Sequence, residues 1–378
     1  MNRPLRIGID ARELEGRRTG VGRYLFNLLR EWSEIAPQND YILFFKRNIP
    51  DDQLFKKGCF SKRLFNLPRL LDKNIIWEQI YLPLRLMKGK CNLFFSPSYT
   101  FPLLIKGTAI VTIHDISYEV NPDWFPFKER LIRRLFTRLS AKKVNFIVTD
   151  TEFSKGDILK YYRINEQRVK VIYPAPDKIF DSKIDEDGIK QIKARYNTGE
   201  RFLLYVGSIL NRRPIDILLR AFSDVLKDST GLKLFIVGEN RTFPKKDFDG
   251  LIDCLHINDY IIQLDYVPDN DLAILYKAAQ IFIYPSFYEG FGLPVLEAMS
   301  SGIPVIVPNL ASFPEVVGNC GILLDHLDRN EMTKAILRLI RDESLRSLLG
   351  MKGKERAKNF SWSISAQRHL DLFREGLS

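Results

Sequence analysis

Short apolar runs alternate with segments of helical periodicity along most of the chain. In its first half, the runs that predict strands lie at 5–9, 41–46, 92–95, 109–113, 145–149 and 169–173. Helical patterns lie between or after them, at 21–35, 74–87, 128–142 and 154–162. Because a strand, a helix and a further strand form the unit from which parallel sheets are built, this order predicts stacked βαβ units.

A second alternating series follows a change of composition. Residues 174–200 are polar, with Pro174 at their start and Gly199 near their end, which is typical of a linker that contains one short helix. Beyond them, strand and helix patterns alternate up to 342, and a helical pattern at 363–376 closes the chain. The sequence therefore predicts an α/β protein with two doubly wound, Rossmann-like domains and a linker, which we place at 1–175, 201–360 and 176–200, respectively.

The composition is that of a soluble globular protein in a reducing compartment. The 378 residues are enough for two sizeable cores, and 45% of them are hydrophobic and 27% charged. The four cysteines are widely spaced without a C-x-x-C pair, which favours reduced thiols over a disulfide framework. No apolar run approaches about 18 residues, and the N-terminus shows no signal-peptide pattern, so we expect a cytoplasmic protein.

A net charge of +11 calls for an anionic partner. In 128–143 basic residues surround one apolar helical face, which is formed by Leu131, Ile132, Leu135, Phe136 and Leu139. Such a helix is typical of peripheral contact with an anionic membrane, but it equally fits a core-facing helix with a solvated basic outside. In 56–73 aromatic and basic residues alternate without helical order, which favours membrane contact somewhat more.

The stretch 284–308 joins a buried strand to a helix through a glycine-rich turn. Pro294 is expected in the first turn of a helix, because a backbone N–H at that position has no intrahelical hydrogen-bond partner and proline can therefore lack it. The backbone N–H groups just before it then point out of a helix N-terminus, which is a site for phosphate. These groups belong to Gly290, Phe291, Gly292 and Leu293.

Two carboxylates flank this turn, those of Glu289 and Glu297. Negative charges beside a phosphate site need a reason, and the simplest is that each accepts hydrogen bonds from hydroxyl groups on one side of a diphosphate. A nucleotide-sugar has that arrangement: ribose, diphosphate and hexose. Alternatively, Glu297 is an ordinary first-turn carboxylate, favoured by the helix dipole by about 0.3–1 kcal/mol, and Glu289 is an ordinary loop residue.

A pair of arginines follows the first strand of the second series. That strand ends near Ser208, and the loop beyond it carries Arg212 and Arg213. Two unit charges about 4 Å apart interact by about 4 kcal/mol at an effective dielectric constant near 20. Two guanidinium groups and oriented N–H groups can therefore stabilise a departing diphosphate without a divalent metal. The alternative is a surface pair at the start of a helix.

Two further candidates lie in the first half. Gly20 and Val21 belong to a glycine-rich turn before a helix, which suits phosphate, although Leu25 breaks the dinucleotide-binding fingerprint. The alternative is a helix entry that needs a flexible backbone. His114 directly follows the buried strand 109–113, and the carboxyl end of a parallel strand is where ligands bind. The next residue, Asp115, equally fits a cap of the following segment.

Metal ligands are not expected. Asp-x-Asp pairs occur in the linker or at helix starts, where aspartate is expected as a cap, at Asp185/Asp187, Asp247/Asp249 and Asp269/Asp271. None of the pairs ends a strand beside the predicted phosphate site. The four histidines include no pair with the spacing of metal ligands.

These motifs resemble those of the group 1 (family 4) retaining glycosyltransferases. The stretch from Glu289 to Glu297 is similar to the E-x7-E signature, and the likeness extends to 302–306 and 313–318. The loop 207–214 is similar to G-x-x-x-x-R-K-N, with Arg and Pro in the last two places. The resemblance implies a GT-B fold, in which two Rossmann-like domains face each other across a cleft and the helix of 361–378 packs back on the first.

The resemblance also implies roles for the candidate residues. Glu289 would contact the donor sugar, and Glu297 would hold the ribose hydroxyls. His114 would contact the donor sugar within the active site, and Gly20 and Val21 would approach the donor phosphate or the acceptor. In such enzymes the leaving phosphate oxygen is thought to deprotonate the acceptor, so no protein nucleophile is assigned; we take His114, Glu289 and Arg212 as catalytic residues. Arg213, Ser208 and the turn before Pro294 would bind the donor.

Further runs are similar to bacterial transferases of cell-surface polysaccharide assembly, namely those at 96–98, 114–115, 122–125 and 151–154. This implies a metal-independent retaining hexosyltransferase in polysaccharide or lipopolysaccharide biosynthesis. Its donor would be GDP- or UDP-linked, with GDP-mannose as the candidate, and its acceptor a glycan or lipid-linked glycan at the inner face of the membrane. No cofactor and no nucleic-acid partner is expected. The alternatives are a GT-B epimerase or sugar-phosphate synthase, a catalytically silent sugar-binding protein and, more distantly, a nicotinamide-dependent oxidoreductase.

Overall fold

Two parallel sheets, of 7 and 6 strands, form the framework of the computed structural model. The structure describes residues 4–16, 20–65, 74–89, 91–182 and 184–378. The chain divides into two compact units. The first consists of Met1–Val120, Phe127–Pro174 and Ser361–Ser378, and the second of Asn121–Pro126 and Ala175–Phe360.

The first sheet has the strand order β3-β2-β1-β4-β5-β6-β7. Its strands are β1 (Arg6–Asp10), β2 (Asp40–Phe45), β3 (Phe60–Leu64), β4 (Leu93–Ser96), β5 (Thr108–Thr112), β6 (Phe146–Thr149) and β7 (Val169–Val171). Central strands such as β1 are buried on both faces, which explains their continuous apolar runs. The direction in which the sheet grows reverses between β1 and β4, so this is the topological switch point.

The helices of the first unit lie close to their predicted positions, except for the short helix Ser117–Val120, which was not predicted. They are α1 (Gly20–Ile35), α2 (Asn74–Ile76), α3 (Leu82–Gly89), α4 (Ser117–Val120), α5 (Phe127–Lys143), α6 (Glu152–Tyr162) and α15 (Trp362–Glu375). A π-helical turn, Trp77–Tyr81, joins α2 to α3. The last helix packs on α1, where the Trp32 indole donates a hydrogen bond to the Ala366 carbonyl at 3.0 Å.

Strand β3 does not stand out in the sequence. Only Phe60 of its five residues is buried, and Lys62 and Arg63 lie exposed at the free edge of the sheet. Charged side chains at an edge strand discourage pairing with another chain, so part of the basic segment 56–73 has this structural use. Residues 66–73 of that segment lie outside the described part of the chain.

Helix α5 buries its polar side. The Arg134 guanidinium forms an ion pair with Glu119 of α4 at 2.7 Å, and the Glu119 side chain is fully buried. A buried carboxylate requires a cation beside it, and Arg134 and Arg138 supply it from α5 while their side chains remain 41% and 44% exposed. The buried residues of the helix are small or polar: Thr137, Ser140 and Ala141.

The apolar face of α5 points to solvent. Its exposed side chains retain between 40% and 67% of their accessible surface and are those of Phe127, Leu131, Ile132, Leu135 and Leu139. The alternative of a core-facing helix with a solvated basic outside is therefore wrong for α5. No helix in the described ranges combines the length and the apolar character needed to cross a bilayer.

The second sheet has the strand order β10-β9-β8-β11-β12-β13. Its strands are β8 (Arg201–Val206), β9 (Leu232–Val237), β10 (Ile261–Leu264), β11 (Ile281–Ile283), β12 (Val305–Pro308) and β13 (Ile322–Leu324). Growth of this sheet reverses between β8 and β11, which places those two strands at its switch point. The prediction of two doubly wound α/β domains is confirmed by the two strand orders.

The helices of the second unit are α7 (Glu186–Arg195), α8 (Ile215–Asp228), α9 (Phe248–Leu255), α10 (Asp269–Ala278), α11 (Leu293–Ser300), α12 (Phe313–Val317), α13 (Arg329–Arg341) and α14 (Glu343–Ala357). Helices α12 and α14 are not marked in the sequence pattern. Asp185 and Asp247 cap α7 and α9 by accepting hydrogen bonds from backbone N–H groups, as the sequence predicts. Asp271 forms an ion pair with Arg195 at 2.8 Å.

The segment assigned to a linker is part of the second unit. The Phe180 ring is buried against Tyr276 of α10, with ring centres 5.4 Å apart. The Ser301 hydroxyl donates a hydrogen bond to the Phe180 carbonyl at 3.1 Å. The few apolar residues of this polar stretch, among them Phe180 and Ile192, are buried and so fasten it to the second unit.

Candidate functional site

Glu289 holds both arginines of the second unit. Its carboxylate lies 2.7 Å from Arg213 Nε and 3.3 Å from Arg212 Nη2. The Ser286 hydroxyl donates a third hydrogen bond to Glu289 Oε1 at 2.9 Å. The arginines belong to the loop after β8, and Ser286 and Glu289 to the loop after β11. Because β8 and β11 are neighbours at the switch point, the fold brings the two loops together.

The network is ionised despite its burial. Only 5% of the Glu289 surface is accessible, and this burial by itself raises the pKa of the carboxyl group. The positive charges of Arg212 and Arg213 and the hydrogen bonds from Arg213 and Ser286 outweigh burial, so the pKa of Glu289 lies below its ordinary value. Burial lowers the pKa of Arg213, but Glu289 more than compensates and holds it well above the ordinary value.

Arg213 is fixed in place from several sides. Its Nη1 donates a hydrogen bond to the Ser208 carbonyl at 2.7 Å. Its guanidinium carbon lies 5.0 Å from the centre of the Tyr284 ring, in a cation–π contact. A side chain at Gly238 would meet the Gly207 carbonyl at 2.0 Å, so the loop that carries Ser208 rests directly on that glycine. Tyr284, Ser286 and Gly238 are contributors that the sequence analysis did not identify.

The glycine-rich turn ends at Gly292, the N-cap of α11. Gly292 has a φ of 93°, a left-handed conformation that favours glycine. A side chain there would also approach the Phe313 ring to 3.2 Å. Pro294 lies in the first turn as predicted, and the Phe291 carbonyl accepts a hydrogen bond from the Ser312 hydroxyl at 3.1 Å. The turn from Gly290 to Leu293 is therefore shaped by packing as well as by sequence.

Glu297 does not lie in the first turn of its helix. It is the fifth residue of α11, and the first turn contains no acidic residue. Because the dipole effect decays within that turn, it does not account for this carboxylate. Only 4% of the Glu297 surface is accessible, and the carboxylate accepts a hydrogen bond from the Tyr276 hydroxyl of α10 at 3.1 Å. Tyr276, which lies on the neighbouring helix α10, is a partner of Glu297 that the sequence did not indicate.

In the first unit, His114 lies between two acceptors. Its Nδ1 is 2.7 Å from Asp150 Oδ2, and its Nε2 is 3.0 Å from the Pro97 carbonyl. The Pro97 carbonyl only accepts, so it faces a protonated Nε2, while the Asp150 carboxyl group faces Nδ1. Burial lowers the pKa of His114, but the charge and hydrogen bond of Asp150, together with the Pro97 contact, outweigh burial, so the pKa lies above its ordinary value. These surroundings favour the protonated imidazole.

The remaining candidates of the first unit have simpler surroundings. Gly20 and Val21 open α1, and a side chain at Gly20 would meet nothing within 4 Å. Thr19, which precedes them, lies outside the described residues. Asp115 accepts a hydrogen bond from the Ser117 N–H at 2.9 Å, so the prediction that it caps the following segment is confirmed. Asp150, the partner of His114, was not identified from the sequence.

The sequence of the chain is similar to a known family and to known proteins. Residues 188–356 match the family model described as Glycosyl transferases group 1. The chain is 28% identical over 369 residues to the O-antigen chain mannosyltransferase B of Escherichia coli. The alignment covers 94% of this chain and 96% of that relative.

Solved structures with a similar fold cover nearly the whole chain. Sucrose-phosphate synthase from Thermosynechococcus elongatus has a TM-score of 0.79 at 18% identity and covers 98% of both chains. Anabaena HepE in complex with UDP-glucose has a TM-score of 0.78 at 15% identity and covers 98% of this chain and 100% of its own. The chain therefore has the GT-B fold, and its residues 188–356 are similar to the glycosyl transferases group 1 family.

Proposed function

We propose that the protein is a retaining, metal-independent glycosyltransferase that moves a hexose from a nucleotide-sugar to a glycan acceptor. The observation that carries the proposal is the buried Glu289–Arg212–Arg213 network, next to the N-terminus of α11 at the switch point of the second sheet. Guanidinium groups and helix N–H groups are the donors that a diphosphate requires. The complex of HepE with UDP-glucose supports a nucleotide-sugar as the donor.

The donor sugar we propose is mannose, carried by GDP. Mannose is supported by the relative from Escherichia coli, whose name is O-antigen chain mannosyltransferase B and which aligns with 94% of this chain. GDP as its carrier is part of the proposal and follows the likeness to polysaccharide transferases seen in the sequence. The likeness to sucrose-phosphate synthase is a likeness of fold at 18% identity, so it gives no equal support to a sugar-phosphate synthase. The acceptor would accordingly be a glycan of cell-surface polysaccharide, carried on a lipid at the inner face of the membrane.

The proposed reaction breaks the bond between the anomeric carbon and the phosphate oxygen and forms a bond to an acceptor oxygen on the same face. The acceptor proton passes to the departing phosphate oxygen, so atoms and charges balance without a protein nucleophile. Arg212 and the N–H groups of α11 would stabilise the charge of the leaving diphosphate. Glu289 would orient the hexose, and Glu297 would accept hydrogen bonds from the ribose hydroxyls.

His114 would act as a cation that orients the hexose. Both of its ring nitrogens are already engaged, Nδ1 with Asp150 and Nε2 with the Pro97 carbonyl, so neither is available to accept the acceptor's proton. This supports a mechanism in which the leaving phosphate serves as the base. It also makes Asp150 a positioning residue, because its carboxyl group holds the imidazole ring through a contact of 2.7 Å with Nδ1.

The proposal is tested by equilibrium binding of a nucleotide-sugar panel to the full chain. We expect GDP-mannose to bind more tightly than GDP, UDP-glucose or UDP-galactose, and to release GDP when a mannosylated acceptor is added. NMR of the product should show retention of the anomeric configuration. Binding of no nucleotide-sugar would contradict the proposed function, and preference for a UDP-sugar would contradict its GDP-mannose part only.

A further inference from the structure

A buried tyrosine of the first unit lies between His114 and the helix that closes the chain. Tyr24 belongs to α1, one turn beyond Gly20, and is only 1% exposed. Its ring is nearly perpendicular to that of His114, with an interplanar angle of 87° and ring centres 4.9 Å apart. Aromatic rings prefer this edge-to-face arrangement, so the Tyr24 ring favours one orientation of the imidazole.

The hydroxyl of Tyr24 is held at two points. It lies 2.8 Å from His369 Nε2 and 3.2 Å from Thr112 Oγ1. Because burial lowers the pKa of His369 to about 4, this ring is neutral at pH 7. Its Nδ1 faces the Ser365 carbonyl at 2.7 Å and therefore carries the proton, so Nε2 accepts a hydrogen bond from Tyr24. The Thr112 hydroxyl then donates to the Tyr24 oxygen, which still has a lone pair for it.

His369 is part of the core of the first unit. It is fully buried, and aromatic rings surround it with centres between 5.7 and 6.2 Å away, among them those of Trp32, Phe95 and Phe373. A fully satisfied polar group in an apolar core specifies one arrangement of the groups that it contacts. His369, which lies on α15, therefore fixes the direction of the Tyr24 hydroxyl.

Tyr24 is neither the acid nor the base of the site. Burial and the negative charge of Asp150 raise the pKa of its hydroxyl well above the ordinary value, so the hydroxyl stays neutral. In the described ranges, the other titratable groups that face the imidazole are those of Asp150, Asp115 and Tyr99, and the Tyr99 ring centre is 5.7 Å away. Tyr24 therefore acts on His114 through the position of its ring.

We propose that Tyr24 and His369 are positioning residues for His114: His369 holds the Tyr24 hydroxyl, and the Tyr24 ring holds the imidazole in the orientation in which it faces Asp150. The inference rests on the proposed glycosyltransferase function and adds to it a support that runs from the last helix of the chain to the residue that would orient the hexose. Tyr24, His114 and His369 all belong to the first unit. Neither Tyr24 nor His369 touches a substrate.

The first test observes the His114 ring without any substrate. The chain contains four histidines, so the ring signals can be assigned in proton NMR by single substitutions. The quantity measured is the rate at which the proton between His114 Nδ1 and Asp150 exchanges with water. Tyr24→Phe keeps the ring but removes both hydrogen bonds of the hydroxyl, so the imidazole should leave Asp150 more often. We expect exchange about threefold to tenfold faster than in the wild type, the range that loss of one hydrogen bond produces.

Tyr41→Phe is the matched control. Tyr41 is fully buried in the same unit, and its hydroxyl also has two partners, the Asn39 amide at 3.2 Å and the Ala36 carbonyl at 3.3 Å. This variant loses a comparable hydroxyl and should leave the exchange of the His114 proton as it is in the wild type. If Tyr24→Phe also leaves it unchanged, or if Tyr41→Phe speeds it equally, Tyr24 only joins α1 to α15 and the proposal is overturned.

His369→Phe tests the second step. It keeps an aromatic ring in the cluster and removes the acceptor of the Tyr24 hydroxyl, and circular dichroism checks that the variant is folded. We expect it to speed the exchange in the same direction as Tyr24→Phe. Together the two substitutions should have no larger effect than Tyr24→Phe alone, because His369 acts through the tyrosine hydroxyl. Fully additive effects would overturn this step.

Donor binding separates this inference from the proposed function. GDP-mannose carries the hexose and GDP does not, so in isothermal titration Tyr24→Phe should bind GDP-mannose about threefold to tenfold more weakly and GDP as the wild type does. Faster exchange of the His114 proton in Tyr24→Phe, in a chain that binds no nucleotide-sugar, would refute the proposed function and leave the positioning role standing. Unchanged exchange together with wild-type affinity for GDP-mannose would do the reverse.

Discussion

At the scale of single residues, the carboxylate of Glu289 is a counter-ion as much as a ligand. It is buried beside Arg212 and Arg213, whose side chains are 13% and 10% exposed, and each of the three charges depends on the others. A donor diphosphate would join an existing arrangement of guanidinium groups rather than assemble one. Preorganised donors of this kind stabilise developing charge at little cost of reorganisation.

Glu289→Gln should therefore damage both stability and turnover. The amide keeps the shape and can still accept a hydrogen bond from Ser286, but it leaves two buried guanidinium groups without their counter-charge. Removing one partner of a buried ion pair costs about 3–5 kcal/mol, and we expect a loss of this order in the free energy of unfolding. A fall in kcat of about 10²-fold or more should accompany it.

Glu343→Gln is the control for that measurement. Glu343 is 85% exposed and lies 3.8 Å from Arg346, a surface pair worth about 0–1 kcal/mol. Urea unfolding and steady-state kinetics of the two variants should differ accordingly. If Glu289→Gln unfolds and turns over like Glu343→Gln, the network has no role in either property.

Glu297 should contribute to donor affinity instead. Its carboxylate lies in the second turn of α11 and is oriented by the Tyr276 hydroxyl. A hydrogen bond to a charged group is worth about 1.5–3 kcal/mol, so Glu297→Ala should raise the dissociation constant of the nucleotide by about tenfold to a hundredfold. Isothermal titration with GDP measures this effect.

Tyr276→Phe is the informative companion of Glu297→Ala. It removes the orienting hydroxyl and keeps the carboxylate, so it should weaken GDP binding in the same direction but less. Unchanged GDP affinity in Glu297→Ala would mean that this buried carboxylate holds α10 against α11 and does not touch the ribose.

At the scale of elements, α5 is an amphipathic helix whose apolar side, rather than its polar side, is exposed to solvent. Its polar side is bound to the protein through Arg134 and Glu119, and its apolar side faces solvent. Large exposed apolar patches on soluble proteins mark surfaces for binding. With lysines and arginines along its flanks, this one fits an anionic bilayer surface.

Substitution of Leu131 and Leu135 by glutamate should abolish co-sedimentation with vesicles that contain an anionic phospholipid. The unfolding free energy should hardly change, because both leucines are more than half exposed. Leu348→Glu, at a leucine of α14 that is 42% exposed, should sediment with vesicles as the wild type does. If the double variant also sediments normally, α5 is not the membrane contact.

The contact between α1 and α15 contains a buried pH-sensitive group. His369 is fully buried; its Nδ1 faces the Ser365 carbonyl at 2.7 Å, and its Nε2 lies 2.8 Å from the Tyr24 hydroxyl. Nδ1 must therefore carry the proton, and Nε2 accepts a hydrogen bond from Tyr24. Burial lowers the pKa of His369 to about 4, and the nearby charge of His114 acts in the same direction.

This pKa predicts a loss of stability in mild acid. An exposed histidine has a pKa of about 6.5, so between pH 6.5 and 4 the unfolded chain binds a proton that the folded chain does not. The contribution of the neutral His369 to the free energy of unfolding is complete above about pH 6.5, and it declines by about 3 kcal/mol as the pH falls to about 4. In His369→Gln, unfolding free energies at several pH values should lack this part of the pH dependence; a curve parallel to that of the wild type would refute it.

At the scale of the whole molecule, the second unit supplies cationic and N–H donors, and no three potential metal ligands come together within the described ranges. We propose that the arginines take the place of a divalent cation in neutralising the leaving diphosphate. Dialysis against EDTA should therefore leave turnover within about twofold of the untreated enzyme, since the fixed charges remain. A strict requirement for Mn²⁺ or Mg²⁺ after that treatment would contradict the proposal.

The order of strands and helices was readable from the sequence because both sheets are parallel and buried on both faces. Their central strands appear as short apolar runs, and the helices between them show a clear periodicity. Strand β3 was not predicted because it is an edge strand with one buried residue. The packing of residues 176–200 within the second unit was not predicted either, because Phe180 and Ile192 are too few to form a pattern.

Some residues of the candidate site were predictable from the sequence, and others were not. Glu289, Glu297 and the turn before Pro294 are close in sequence, so local spacing and the likeness to a known family were enough to select them. Their partners are distant in sequence: Arg213 reaches Glu289 across 76 positions, and Asp150 reaches His114 across 36. No local pattern encodes such pairs.

The sequence by itself determined the fold class, the two doubly wound domains and the glycine-rich turn for which we propose phosphate binding, because these follow from short-range periodicity and backbone chemistry. Only the tertiary structure decided which charges neutralise one another, that α5 exposes its apolar face, and that Tyr24 of α1 lies between His114 and His369. Those properties depend on burial, since a buried charge must find a partner wherever the fold provides one, and burial is set by the packing of the whole chain.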